Sequence, residues 1–154
     1  MRTRCISIRT RCRVAFALAA MTFAAVPHCL KASDADALCP AGNETLHGNY
    51  MSRSMGTIVG VGPITAVGRF AYDGKGNWVN PGTVSVNGVI STGTETGTFT
   101  VNSDCTGSVA ASDGAFRFNF VISPDGSRYD WIRTDPGTVV SGTAIRFTSR
   151  LEDD

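Results

Sequence analysis

From Gly48 onward, apolar residues recur at every second position, and the runs are cut by short clusters of Gly, Asp, Asn, Ser and Pro. A period of two is the mark of strands with alternating faces, and no window there shows the 3.6-residue apolar spacing of an amphipathic helix. The stretch from Ala115 to Ile122 is the clearest case: Phe116, Phe118, Phe120 and Ile122 fall on one face, with Arg117, Asn119 and Val121 on the other. Large apolar side chains in such a row belong against a core, so Arg117 is expected outside. The interruptions Asp73-Gly74-Lys75-Gly76, Asn87-Gly88, Asn102-Ser103-Asp104, Asp113-Gly114, Pro124-Asp125-Gly126 and Asp135-Pro136-Gly137 are residues that supply positive φ or preset a bend. They predict strands at about 63–73, 77–87, 89–102, 106–112, 115–123, 127–134 and 138–148, with an eighth at about 48–54 ahead of Gly60-Val61-Gly62-Pro63.

Short turns pair consecutive strands antiparallel. Eight meandering strands with no covering helix leave two bare edges unless the sheet closes, so the chain is expected to form an all-β, eight-stranded antiparallel up-and-down β-barrel. Gly82-Thr83-Val84-Ser85-Val86-Asn87 recurs as Gly97-Thr98-Phe99-Thr100-Val101-Asn102, 15 residues later. That spacing is one strand plus one turn, and it reads as convergence of hairpins rather than a solenoid.

The first segment reads as an address. Arg2, Arg4, Arg9, Arg11 and Arg13 precede an uncharged run of 13 residues, Val14 to Val26. This is too short to span a bilayer as a helix and fits a secretory signal peptide. Ala35-Asp36-Ala37 places cleavage before Leu38, which divides the chain into a leader (1–37) and one barrel domain (38–154) and predicts export to the periplasm or medium without stable membrane insertion. Cys29 follows Pro27 and His28, which are unlike the small residues of a lipid-attachment site.

Beyond the leader, 8 basic residues stand against 11 acids, a net charge of −3, and the basic residues are scattered. Nucleic-acid binding needs a clustered cationic face, so no nucleic-acid partner is expected. Cys39 and Cys105 are the cysteines of this part, and in an exported chain two cysteines read as one disulfide. His47 alone builds neither a metal site nor a Ser-His-Asp relay, and no G-x-S-x-G, CxxC or HExxH motif occurs, so no metal and no cofactor are expected. Asp73-Gly74-Lys75-Gly76-Asn77 has a lysine where a calcium loop needs a ligand, and reads as a turn.

Phe70-Ala71-Tyr72-Asp73-Gly74-Lys75-Gly76-Asn77, Gly97 through Gly107, and Arg133 through Ala144 resemble small exported bacterial β-barrel proteins and, through them, the allene oxide cyclase-like, calycin-type barrels. The resemblance runs over residues 38 to 148. It implies a cofactor-free cyclase or isomerase that folds an unsaturated lipid or polyketide inside an apolar lumen, and a fold that also serves ligand carriers. Assembly into a homo-oligomer is open to such barrels, with no stripe in this sequence to mark the contact.

Tyr129-Asp130-Trp131-Ile132-Arg133 places Tyr129, Trp131 and Arg133 on one face. Turned inward they offer an aromatic wall, a phenol and a cation; turned outward they are surface, or Trp131 plugs one end while Arg133 pairs with an acid. Glu95 shares a face with Gly97, Phe99 and Val101. A carboxylate there is either an acid–base group with a raised pKa or a solvated side chain. Three functions follow. The first is an exported barrel binding a small apolar or amphipathic molecule in its lumen, with Phe116, Phe118, Phe120, Trp131 and Tyr129 as walls and Arg133 or Glu95 orienting the polar end. The second is the cyclase, with Glu95 and Tyr129 as catalytic groups. The third is an interaction module whose barrel is filled by its own side chains.

Overall fold

A computed structural model describes residues 37–147; the expected leader lies outside the described residues, apart from Ala37. A short 3₁₀ turn (Gly42–Thr45) is followed by eight strands: β1 (His47–Ile58), β2 (Gly62–Asp73), β3 (Asn77–Val86), β4 (Val89–Val101), β5 (Thr106–Ala111), β6 (Arg117–Ile122), β7 (Arg128–Arg133) and β8 (Thr138–Phe147). Each pairs antiparallel with the next, and β1 pairs with β8 from Asn49↔Phe147 to Ile58↔Thr138, so the sheet closes as an up-and-down barrel. β1 ends at Ile58, four residues beyond the boundary expected from the sequence. Met55-Gly56-Thr57-Ile58 lacks a clear apolar alternation, but it is paired on both sides, and ladder bonds from two neighbours override a weak local pattern.

The alternation sets the faces. Tyr50, Ser52 and Ser54 of β1 point inward, as do Phe118, Phe120 and Ile122 of β6, while Arg117, Asn119 and Val121 face solvent. The turns carry their own bonds. Asp73, for example, accepts from the backbone N–H of Lys75 (2.7 Å) and Asn77 (2.9 Å) and from Asn77 Nδ2 (2.7 Å), and these bonds, the Asn77 side chain first, hold its carboxyl at about 2. Both carboxylate oxygens are thus engaged by the hairpin itself, as a turn requires.

One end of the barrel is closed. The segment ahead of β1 crosses it: Leu46 is fully buried, Asn43 Oδ1 accepts from the N–H of Val101 (2.8 Å), and the N–H of Cys39 donates to Ser103 (2.9 Å). Cys39 and Cys105 are joined by a disulfide across 66 positions, pinning this cover to the β4–β5 turn. Inside the cover, Tyr50, Tyr72, Tyr129, Phe99, Phe120, Ile122 and Val109 fill the bore. Among the described residues, the opposite end, where β1 meets β2 and β3 meets β4, has no such cover.

A loop of this length closed by a disulfide removes about 4 kcal/mol of chain entropy from the unfolded state. Replacing both cysteines by alanine should lower unfolding stability by about that amount, with the barrel still closed at low denaturant. Urea unfolding with and without reductant measures it, and a loss under about 1 kcal/mol would mean that the cover holds without the bond.

A lumenal cavity in the open half

The strands differ in length, and the difference shapes the site. β1 to β4 run for 10 to 13 residues, whereas β5, β6 and β7 have 6 each. The β4–β5 ladder starts at Gly97↔Ala111, with the N–H of Ser112 reaching the carbonyl of Thr96, so the first part of β4 has no neighbour on its β5 side. The wall is notched there, beside Ser91, Gly93 and Glu95.

Above the filled half lies a cavity of about 410 Å³. Phe118 separates the two: it contacts Phe120 and Tyr129 below (ring centroids 6.4 and 6.5 Å) and Trp131, Phe116 and Phe70 above (4.6, 6.0 and 6.1 Å). The cavity has an aromatic side, Phe70, Phe116, Phe118 and Trp131, and a small-residue side, chiefly Ser52, Ser54, Ala66, Gly68, Gly82 and Gly93. Its rim is apolar, with Val59, Val61, Val89, Ile90 and Val139 exposed around the open end.

The sequence-predicted residues separate by height. Phe116, Phe118, Trp131, Arg133 and Glu95 all line the cavity. Phe120 and Tyr129 do not; they lie in the closed half, where the Tyr129 hydroxyl is 2.7 Å from that of Tyr72. Glu95 and Tyr129 are therefore not brought together. Arg133 is inside yet committed: Nε donates to Asp135 Oδ2 (2.9 Å), an amino group donates to the carbonyl of Ala115 (2.9 Å), and the guanidinium lies 5.7 Å from the Phe116 ring centre. Burial works against the charge of Asp135, but the N–H of Arg117 and the Arg133 guanidinium outweigh it and hold the carboxyl below the usual range.

Five polar wall residues lie outside the sequence expectations: Ser52, Ser54, Thr83, Ser91 and Asn80. Trp78-Val79-Asn80 carried a usable signal for the last, because alternation that buries Trp78 buries Asn80 as well. Two polar atoms in the wall are shut off from solvent without a hydrogen bond, Asn80 Oδ1 and Trp131 Nε1. Glu95 is half-buried; desolvation first, and then the nearby Asp113, push its carboxyl up, with Arg133 pulling partly back. Among the described residues, no cluster of three or more His, Cys, Asp and Glu could hold a metal ion, and no helix is long and apolar enough to cross a membrane.

No protein-family model matches the chain, and no curated protein matches it. Among solved structures it is similar to a redesigned beta barrel, mFAP1, bound to DFHBI, at a TM-score of 0.45 and 19% identity, over 68% of this chain and 97% of that one.

All three tyrosines of the chain sit in the closed half. Burial raises each phenol, Tyr50 to about 12 and Tyr72 and Tyr129 well above the ordinary 10. The unfolded chain sheds these protons from about pH 10 while the folded one keeps them, so stability falls as pH rises from about 10 to 12 and beyond. An alkaline titration should therefore show no phenolate absorbance until circular dichroism reports unfolding. A phenol titrating near 10 in the folded protein would contradict the closed half.

Proposed function

We propose that this protein is an exported barrel that binds one small, largely apolar or amphipathic molecule in the open half of its lumen. The observation that carries the reading is the cavity itself, with aromatic and small-residue walls and a few polar atoms left without partners. Apolar concavities with sparse, convergent polar groups are the ordinary form of small-molecule sites. Phe116, Phe118 and Trp131 act as walls, and Phe120 supports them from below. The apolar rim gives such a molecule a path of low desolvation cost into the lumen.

The division into a leader (1–37) and a barrel domain (38–154), and export itself, rest on the arginine-rich start and the uncharged run after it, with the disulfide as a second support. A barrel filled by its own side chains, the interaction-module reading, describes the closed half alone. The cyclase reading, drawn from the allene oxide cyclase-like resemblance, asked for Glu95 and Tyr129 together. With the Tyr129 hydroxyl held by Tyr72, Glu95 is left as the titratable group of the cavity without an engaged partner.

A neutral, environment-sensitive dye, N-phenyl-1-naphthylamine, tests the reading. It should bind in a one-to-one ratio with enhanced emission, and Ala66→Trp, which places bulk in the cavity, should weaken it about tenfold or more. Phe116→Ala should weaken the dye, whereas Phe120→Leu should cost about 1 kcal/mol of stability with little change in dye affinity. Dye binding that Ala66→Trp leaves intact would place the site outside the lumen.

A further inference from the structure

Asn80 and Glu95 are register partners across the β3–β4 ladder, and both line the cavity. Asn80 lies over Gly68 of β2, in space that any larger residue there would occupy, so its position is fixed by packing. Its Oδ1 is buried and accepts nothing. Glu95 forms no salt bridge among the described residues; the ion pairs there are Arg128–Asp130 and Arg133–Asp135. Glu95 thus stands in a half-enclosed, low-dielectric site with no cation paired to it among the described residues, while the Asn80 amide oxygen is turned against Gly68 of β2. A carboxylate so placed is costly unless a donor arrives, and a cationic donor repays most.

The opposite sign of ligand is poorly served. A carboxylate head would need Arg133, whose guanidinium is divided among Asp135, the Ala115 carbonyl and the Phe116 ring. Drawing it away would break the Arg133–Asp135 ion pair and leave that carboxylate with the Arg117 N–H (3.0 Å). Phe70, Phe116, Phe118 and Trp131 present ring faces to the same cavity, and ring faces attract cations.

We infer that Glu95 is the head-group site of the lumen and that it takes a protonated amine carried on an aromatic or other apolar body. The inference deepens the lumenal-binding reading and rests on it. A compact ammonium has three donors to offer the Glu95 carboxylate, and its apolar body would lie on the ring faces of the same cavity. The charged groups facing Glu95 are Asp113 and Arg133; burial first, then Asp113, push its carboxyl above the ordinary range, with Arg133 pulling partly back. An arriving cation favours the carboxylate instead, so amine binding at mildly acid pH must release a proton from Glu95.

The test is calorimetry on the oxidised protein with a matched set, 1-naphthylmethylamine, 1-naphthalenemethanol and 1-naphthoic acid, alongside the neutral dye. At about pH 7 the amine should bind about tenfold or more tightly than the alcohol, with the acid weakest, in keeping with a charge-assisted hydrogen bond. Glu95→Gln should bring amine and alcohol to equal affinity. At about pH 5 the wild type should release protons on binding the amine, seen as a heat that depends on the buffer's ionisation enthalpy, and Glu95→Gln should not. Equal affinity for all three with the dye still bound would overturn the amine assignment and leave lumenal binding standing. Tightest binding of the acid would overturn it in favour of Arg133. Amine preference without proton release would overturn the role of Glu95, and a dye that never binds would remove the lumenal reading and this inference with it.

Discussion

Closure of the sheet between β1 and β8 is the constraint on which the rest of this structure depends, because it fixes the bore. Eight strands leave an interior about wide enough for side chains, so whether any space remains is decided by the sizes of the inward residues. In the closed half those residues are tyrosines, phenylalanines, Leu46 and Ile122. In the open half, β1 to β4 contribute Ser52, Ser54, Ala66, Gly68, Gly82 and Gly93, and the volume those side chains lack is the cavity. Barrel and cavity follow from one feature of the sequence, the distribution of large and small residues along inward-facing positions.

Glycine also lets the aromatic residues lie flat against the wall. Trp78, Phe120 and Trp131 each stand opposite a glycine of a neighbouring strand, Gly97, Gly107 and Gly142, and each ring covers the space a Cβ there would take. The ring buries its face on backbone rather than projecting into the lumen, which lets a bore this narrow carry so many aromatic rings. Trp78 satisfies its indole N–H on the Thr98 carbonyl, at 3.1 Å. Trp131, in the same arrangement beside the cavity, has no acceptor, and the contrast marks the cavity side as the place where polar capacity is held open.

The strands, their order and the inward face of β6 were legible because alternation and turn chemistry are local, and the Cys39–Cys105 bond because the two cysteines beyond the expected leader have one pairing with each other. Height along the barrel axis was not legible. Phe116 and Phe120 share a face and are separated by roughly 13 Å at the usual rise per residue, so one reaches the cavity and the other the closed half. Which is which depends on the register of several ladders and on where the cover sits, and both are non-local. The same blindness joined Tyr129 to Glu95 as a pair. The reach of β1 past Ser54 is hidden from the sequence for a related reason, since Gly56 weakens the local pattern while pairing on both sides carries the strand through it.

The polar groups of the open half bear on stability and on function in opposite directions. Asn80 Oδ1 and Trp131 Nε1 would each be satisfied or replaced in a lumen built for stability alone, and a half-buried Glu95 would be exchanged for an apolar residue of similar size. Arg133 shows that the fold can neutralise a lumenal charge when it supplies a partner, because Asp135 and the Ala115 carbonyl take up the guanidinium at the rim. Among the described residues no comparable partner reaches Glu95, although the start of β4, unpaired on its β5 side, leaves room beside it in the notch. A wall that satisfies its cation and leaves its anion without an ion-pair partner among the described residues has a polarity of its own. Under the proposed reading that polarity favours a hydrogen-bond donor beside Glu95, while the rings around it set the apolar bulk of the ligand.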